Sequence, residues 1–483
     1  MITKNSIIYQ IIIDRFNNDT NDLHSIIKNP NYKNDFEKFL GGSFKGVYNK
    51  IDYLNELGVT HILINPIQKS PSYHGYDYQD SYKINPNFGS EKELNDLIDK
   101  LHENDIQIIV DYVCTHVSSI NKLFTEKITS DNDKDKDWFL FKERIKKKGK
   151  YKHYYEELIY KLTSGKSTLI EKINEAEYLC YFGLESHPLL NLRNREVQEW
   201  HQNCISYWLN KFKFDDIRLD SGFLQPKDHI KRLYKHIKSD FPETSVIIEH
   251  WDFEPKNHIL PKYYKILDGE FNIDISLLLN KLPNEINPFN RILNNYYQNK
   301  DLLEDYLSIV SIDNHDLPRF THGFNLQKIA ALIQFTLPVV PLIYYGNEKG
   351  MIQYNGGENR IAQSRDVMRF DLNNKEFIEL YKNLIRFRRE NNFEEESNLT
   401  DIQINDNGEL FTYKLNIGNN SYYILINKEK RQKPVNLEIM FTDSEILNAE
   451  ITTGRIIEFA ENKWIKMDSE SCYLFPDKHN KDN

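Results

Sequence analysis

The sequence predicts an α/β fold: a (β/α)8 TIM barrel with an inserted domain after strand 3 and a C-terminal all-β sandwich domain. Three observations predict it. Short apolar, β-branched runs alternate with helical stretches over most of the chain, the pattern of parallel strands and crossover helices. Several of those runs end in charged residues, as strands do where a barrel carries its site. The alternation stops twice, once after the third strand and once for good near Asn392.

Taken in order, Ser6–Phe16 is an apolar run ending in Asp14-Arg15 and reads as the first buried strand. Asn17–Asp22 reads as a solvated turn or, since Asn and Asp oxygens ligate Ca²⁺, as a cation loop. Gly46–Gly58 has helical spacing at Val47, Ile51, Leu54 and Leu57, closed by Gly58. Val59–Pro66 is the second strand, Ser72–Phe88 an aromatic loop and Glu91–Glu103 a helix. Gln107–Val110 is the third strand and runs into Asp111-Tyr112-Val113-Cys114-Thr115-His116. Val117–Pro188 then breaks the rhythm. It is Lys-rich and aromatic, and too long for an ordinary loop, so it reads as an inserted domain B. Arg195–Lys211 is a helix with Val197, Trp200, Cys204, Tyr207 and Trp208 inward. Phe214–Gly222 holds the fourth strand. Val246-Ile247-Ile248 is the fifth and ends in Glu249-His250-Trp251-Asp252. Ile266–Asn272 is the sixth, and Leu307–Ile312 the seventh, ending in Asp313-Asn314-His315-Asp316. Helix Gln327–Pro338, strand Val339–Tyr345 and helix Phe377–Arg388 complete eight units. Beyond them Leu410–Leu415, Ser421–Ile426, Val435–Ile439 and Cys472–Phe475 are short strands, with turns at Gly418-Asn419-Asn420 and Thr452-Thr453-Gly454. The expected division is a barrel from 1–116 and 189–392, an insert at 117–188, a sandwich at 393–477 and a tail at 478–483.

Composition narrows the function. The net charge of −10 argues against nucleic acid as the main partner. No apolar run approaches membrane-spanning length, and the N-terminus lacks an h-region. The four cysteines, Cys114, Cys180, Cys204 and Cys472, form no close pair or metal spacing, which suits a reducing, cytoplasmic setting. Thirty tyrosines and 27 phenylalanines exceed ordinary core needs, and flat rings also stack on sugar faces. Tyr73, Tyr76, Tyr78 and Tyr82, all in one loop, read either as such stacking rings or as loop packing.

The chemistry sits at strand ends. Arg218 and Asp220 are two apart, so on a strand they share a face. A cation beside a carboxylate favours its ionised form, as a covalent nucleophile needs; an ordinary structural ion pair reads the same way. A barrel would converge Asp111, His116, Arg218, Asp220, Glu249, His315 and Asp316 on one mouth. Zinc hydrolysis fits them poorly: no His-x-x-x-His pair occurs on a helix among them, and Arg218 would repel a metal. Paired carboxylates beside aromatic rings fit glycoside hydrolysis better.

The chain resembles the α-amylase family of glycoside hydrolases over nearly its whole length. The resemblance is carried by Asp111–His116, Arg218-Leu219-Asp220, Glu249 and Asn314-His315-Asp316. Gly46–Pro66, His74-Gly75-Tyr76-Asp77, Pro341–Glu348 and Ile8-Tyr9-Gln10 with Asp14-Arg15-Phe16 add to it. It implies that Asp220 is the nucleophile, Glu249 the general acid/base, and Asp316 a ligand of the sugar's ring hydroxyls. Arg218 would hold Asp220 ionised. His116 and His315 would bind hydroxyls of the same sugar, and Tyr76 would stack on it. Asp77 is expected to pair with an arginine such as Arg365. Trp251 lies near the residues expected to set linkage preference. The carboxylate pair implies retention, with the groups about 5–5.5 Å apart.

The departures matter too. Thr115 stands where the family usually has Asn, a ligand of its structural calcium; a hydroxyl is a poorer ligand, which weakens the case for Ca²⁺. No cofactor is otherwise implied. Asp216 replaces a common Gly, and Asn191 follows His187-Pro188-Leu189-Leu190 where many members have Asp after the Pro. The latter variant resembles the neopullulanase and cyclomaltodextrinase branch, which implies malto-oligosaccharides, cyclodextrins or related α-glucans as substrate. A 4-α-glucanotransferase would use the same intermediate. A non-catalytic glucan-binding protein would usually lack one of the three carboxylates, and this chain has all three.

Overall fold

Eight short strands form the frame: β1 (Ile8–Ile11), β2 (His61–Ile64), β3 (Gln107–Val113), β4 (Asp216–Asp220), β5 (Val246–His250), β6 (Gly269–Asn272), β7 (Leu307–Ser311) and β8 (Val340–Tyr344). In the computed structural model they close into a parallel barrel in chain order, with β1 paired to both β2 and β8. The structure describes residues 1–28, 37–149, 151–163, 171, 177–251, 265–282, 288–299, 305–321, 323–353, 364–404, 410–430, 433–436, 451–453, 456–460, 464–467 and 469–476.

Strand periodicity sorts the barrel's side chains. Ile62, Ile64, Ile108, Val110, Ile217, Leu219, Val246 and Ile248 face outward into the main core. Ile8, Leu63, Ile109, Ile247, Phe271, Ile309, Val340 and Leu342 plug the interior as a separate apolar cluster. Two residues on from Ile109 and Ile247, the same inward face carries Asp111 and Glu249. In the β3–β4 register Asp111 pairs with Arg218 and Val113 with Asp220. The alternation therefore places a charged layer directly above an apolar plug.

Several elements differ from expectation, each for a tertiary reason. The first strand stops at Ile11, and Ile13–Phe16 is a single helical turn. Asn65 Oδ1 accepts from Ile13 N at 2.8 Å, and the Asp14 carboxylate accepts from Leu40 N at 2.9 Å and Gly41 N at 3.0 Å. The run over 46–58 is two helices, α1 (Phe44–Tyr48) and α2 (Ile51–Leu57), broken at Asn49-Lys50. Ser43 caps α1, and Gly58 closes α2 at φ +89°, a conformation glycine adopts without strain. Helix α3 (Glu91–His102) starts in a Ser90/Glu93 capping box. The third strand extends three residues further than read, through Asp111 to Val113.

Between β3 and α4 (Arg195–Lys211) the chain leaves the barrel. This stretch holds helices Lys122–Thr129, Asp133–Lys136, Lys142–Lys148 and Lys152–Thr163, tied by isolated bridges such as His116 to Leu189 and Cys180 to Pro188. On α4, Val197, Cys204 and Trp208 are buried as expected, while Trp200 and Tyr207 are half-buried.

The C-terminal region is all β. One sheet orders β9 (Ser397–Ile404), β10 (Leu410–Ile417), β11 (Asn420–Asn427), β16 (Ser471–Pro476) and β13 (Ile451–Thr452). The other orders β12 (Lys433–Asn436), β15 (Trp464–Met467) and β14 (Ile456–Ala460). The first sheet shares the barrel's core: Phe411 stacks on Phe289 of α5 (Pro288–Asn299) at 4.1 Å. Residues 437–439 of the expected third C-terminal strand, Gly454, Asp252 and the tail 478–483 lie outside the described residues.

Candidate active site

Arg218 is the centre of the charged layer. Its Nη1 bonds Asp111 Oδ2 and lies 3.1 Å from Asp220 Oδ1; its Nη2 lies 2.9 Å from Glu249 Oε2. One guanidinium thus joins carboxylates from three adjacent strands, all nearly buried. The residue between the last two, Ser221, adds two donors. Its N–H donates to Glu249 Oε2 at 3.0 Å and its hydroxyl to Asp220 Oδ2 at 2.8 Å. Trp251 Nε1 donates to Glu249 Oε1 at 2.6 Å. Across the barrel, Asp316 Oδ2 is 2.8 Å from His315 Nε2 and its Oδ1 accepts from Arg365 Nη2 at 2.9 Å. Tyr76 bridges the two groups: its hydroxyl donates to Asp111 Oδ2 at 2.9 Å and sits 2.6 Å from His315 Nε2. The Tyr76 and His315 rings are parallel, 5.2 Å apart.

The electrostatics follow from that count of charges. Burial raises the Asp220 carboxyl well above its usual range, Glu249 raises it further, and Arg218 opposes both. Burial likewise raises Asp111, against the pull of Arg218. Arg218 thus has the sign expected of it, but it is divided among three carboxylates and does not offset their desolvation. Three carboxylates around one guanidinium therefore disfavour full ionisation of the cluster. Asp316 is different. Burial works against its charge too, but His315 and then Arg365 outweigh it and hold the carboxyl well below the usual range. Its side chain is 28% exposed, the most open of the four carboxylates.

These groups open into a cavity of about 650 Å³. Of the residues singled out in the sequence, Tyr76, His116, Asp220, Glu249, Trp251, Asp316 and Arg365 line it. Arg218 and His315 lie one layer back, bonded to lining carboxylates. Asp77 does not line it, and the pair expected between Asp77 and Arg365 is not formed. Asp77 Oδ1 accepts from Ser70 Oγ at 2.7 Å and from Ser72 Oγ, while Arg365 turns to Asp316 and the His315 carbonyl. Of the four loop tyrosines only Tyr76 reaches the cavity; Tyr73 and Tyr78 are buried, and Tyr82 packs on Tyr207. The reading of the sequence missed Ser221, Tyr181, Phe182, His187 and Phe223. Four of them line the cavity, and Tyr181 stacks on His116 at 4.6 Å. The aromatic texture around Tyr181-Phe182 was visible in the sequence, but its direction was not.

Thr115, the departure at the family's calcium position, is buried. The Thr115 hydroxyl is engaged by His116 Nδ1 at 2.9 Å. Among the described residues no three His, Cys, Asp or Glu side chains converge to hold a metal.

Fold and site together define a (β/α)8-barrel protein with a carboxylate cluster at the floor of an aromatic-walled cavity. The family model for the α-amylase catalytic domain matches residues 10–260, more than half of the chain. The chain belongs to the α-amylase family. Similar relatives include α-amylase 2 of Dictyoglomus thermophilum, 28% identical over 407 residues, covering 80% of this chain and 63% of that protein. Cyclomaltodextrinase of Thermoanaerobacter pseudethanolicus is 26% identical over 470 residues, covering 92% and 74%. The chain thus spans under two thirds of the first and about three quarters of the second. The crystal structure of an Anoxybacillus α-amylase superposes with a TM-score of 0.75 at 22% identity, over 99% of this chain and 98% of that one, a likeness of fold.

Proposed function

We propose that the protein is a retaining glycoside hydrolase that cleaves α-1,4-glucosidic bonds in malto-oligosaccharides, cyclodextrins or related α-glucans. The observation that carries this reading is the guanidinium of Arg218 shared by Asp111, Asp220 and Glu249 at the floor of an aromatic-walled cavity. In the first step an Asp220 oxygen bonds the anomeric carbon as the glycosidic C–O bond breaks. The leaving oxygen takes a proton from Glu249. In the second step Glu249 accepts a proton from water, whose oxygen bonds the anomeric carbon and displaces Asp220. Glu249 in its protonated form supplies the acid for the first step. Asp316, kept ionised by His315 and Arg365, is suited to bind ring hydroxyls and to stabilise the oxocarbenium-like transition state. His116, Tyr76 and Trp251 supply ring faces and polar edges for the sugar.

Glu249→Gln tests the assignment. Turnover on a malto-oligosaccharide is expected to fall by roughly 10²–10⁴-fold, the range of a lost general acid; equal turnover in mutant and parent overturns the enzyme reading. A 4-α-glucanotransferase is the second reading, favoured by the apolar Phe182, Leu184 and Phe223 on the cavity wall, which suit a sugar better than water as acceptor. A ladder of longer chains from maltotriose identifies transfer; glucose and maltose alone identify hydrolysis. We place the protein in the cytoplasm, on the grounds that all four cysteines are buried as free thiols.

A further inference from the structure

Ser221 follows Asp220 in sequence, and its polar atoms reach three partners. Its N–H donates to Glu249 Oε2 at 3.0 Å and its hydroxyl to Asp220 Oδ2 at 2.8 Å. The Tyr181 hydroxyl lies 3.0 Å from Ser221 Oγ. The one hydroxyl proton of Ser221 is given to Asp220, so Tyr181 is the donor to Ser221. The serine is fully buried and held in the left-handed region, at φ +52° and ψ +45°. A side-chain-bearing residue there is strained, and such strain persists only where the surroundings fix it. Here the fixed turn directs one donor at each of two carboxylates. Tyr181 comes from the stretch between β3 and α4 and is itself stacked on His116.

We propose that Ser221 is a positioning residue that holds the Asp220 and Glu249 carboxylates in one frame and ties that frame, through Tyr181, to the segment inserted after β3. The inference rests on the proposed roles of Asp220 and Glu249. Its chemistry is simple. Arg218 holds Asp220 Oδ1, so Ser221 is the donor that orients Oδ2. A hydrogen bond given to a carboxylate favours the charged form over the protonated one. Other titratable and charged groups also face Asp220: Arg218 on its own strand, Asp111 and Cys114 from β3 and its end, Glu249 from β5, and Tyr76 and Tyr181 from loops. Removing the Ser221 hydroxyl deletes none of them and touches only Tyr181, whose hydroxyl loses its acceptor.

The test is the pH dependence of kcat/KM on a malto-oligosaccharide for the full chain and three variants. Ser221→Gly deletes the hydroxyl, keeps the N–H to Glu249 and favours the left-handed turn. Ser221→Ala deletes it with the turn's strain unchanged. Tyr181→Phe removes the donor to Ser221 and keeps a ring against His116. The acidic limb of the profile is expected to move up by about one to two pH units in Ser221→Gly and Ser221→Ala, the size of one lost hydrogen bond to a charged group. In Tyr181→Phe it is expected to move the same way by less. An acidic limb that superposes on the parent's in both Ser221 variants overturns the role of Ser221 while leaving the site assignment standing. A parent without turnover, or a Glu249→Gln variant as active as the parent, overturns the assignment and this inference with it.

Discussion

Asp216 carries more weight than its place at the barrel's bottom suggests. It is fully buried at the start of β4, where Ser245 N donates to Oδ1 at 2.7 Å and His61 Nε2 lies 3.7 Å from Oδ2. Burial pushes its carboxyl up to about 6. The unfolded chain returns it to about 3.9, so the folded state binds the extra proton between those values. Its contribution to stability is therefore fully present below about pH 4 and lost as pH rises through 6. Asp216→Asn keeps an acceptor for Ser245 N and removes the buried charge. It is expected to raise stability at pH 8 by about 2–3 kcal/mol, with the gain vanishing near pH 4. Urea midpoints at the two pH values decide it; a loss at pH 8, or a pH-independent effect, contradicts the account. The sequence showed that Asp216 departs from a common Gly. It did not show that the side chain is buried, because that depends on what β4 meets at its N-terminal end.

At the scale of elements, the approach of the turn after β4 to β5 sets the geometry of the site. A Cβ on Gly222 would fall 2.3 Å from Ile248 Cγ1 and 2.6 Å from the Glu249 carbonyl oxygen. Only a hydrogen there lets the Ser221 turn lie against the strand that carries Glu249. Gly222→Ala is expected to push the two carboxylates out of register and to lower kcat by on the order of 10²-fold, the effect of a displacement near 1 Å. A kcat within threefold of the parent in a folded variant sinks this. The strands and long helices were legible for local reasons. Arg195–Lys211 has its periodicity and its Asn194 cap in the sequence, and it spans the residues expected. The helical turn Ile13–Phe16 and the break at Asn49-Lys50 were not legible, because their hydrogen-bond partners lie far along the chain or depend on packing. Edge strand β9, Ser397–Ile404, was missed because its pattern is mostly polar, as sheet edges are.

On the scale of the whole molecule, the barrel and the first C-terminal sheet share one apolar core, which includes Phe289, Phe335, Phe411 and Tyr413. Tyr413 meets the Thr336 hydroxyl, and Tyr422 donates to Asn391 Oδ1 at 2.6 Å. Arg388, buried on α6 (Lys375–Glu390), donates to the carbonyls of Lys4, Leu337 and Val339 and so ties this helix to the first residues and to the start of β8. Units joined this way are expected to unfold together. Phe411→Ala is expected to cost about 3–5 kcal/mol and to leave a single transition by tryptophan fluorescence and far-UV circular dichroism. Two separated transitions in the parent protein are the opposing result.

Resemblance to the α-amylase family marked Asp220, Glu249 and Asp316 as candidates; the sequence by itself determined the eight-unit rhythm and the charged strand ends. Those signals are local: a period of two or of 3.6, a cap, a carboxylate after a β-branched run. Only the tertiary structure decided that Arg218 is shared three ways, that Asp77 turns from Arg365 to two serines, and that Ser221 bonds both carboxylates. Each of these depends on which backbones lie side by side and how deeply a charge is buried, and neither is a property of any one stretch of chain.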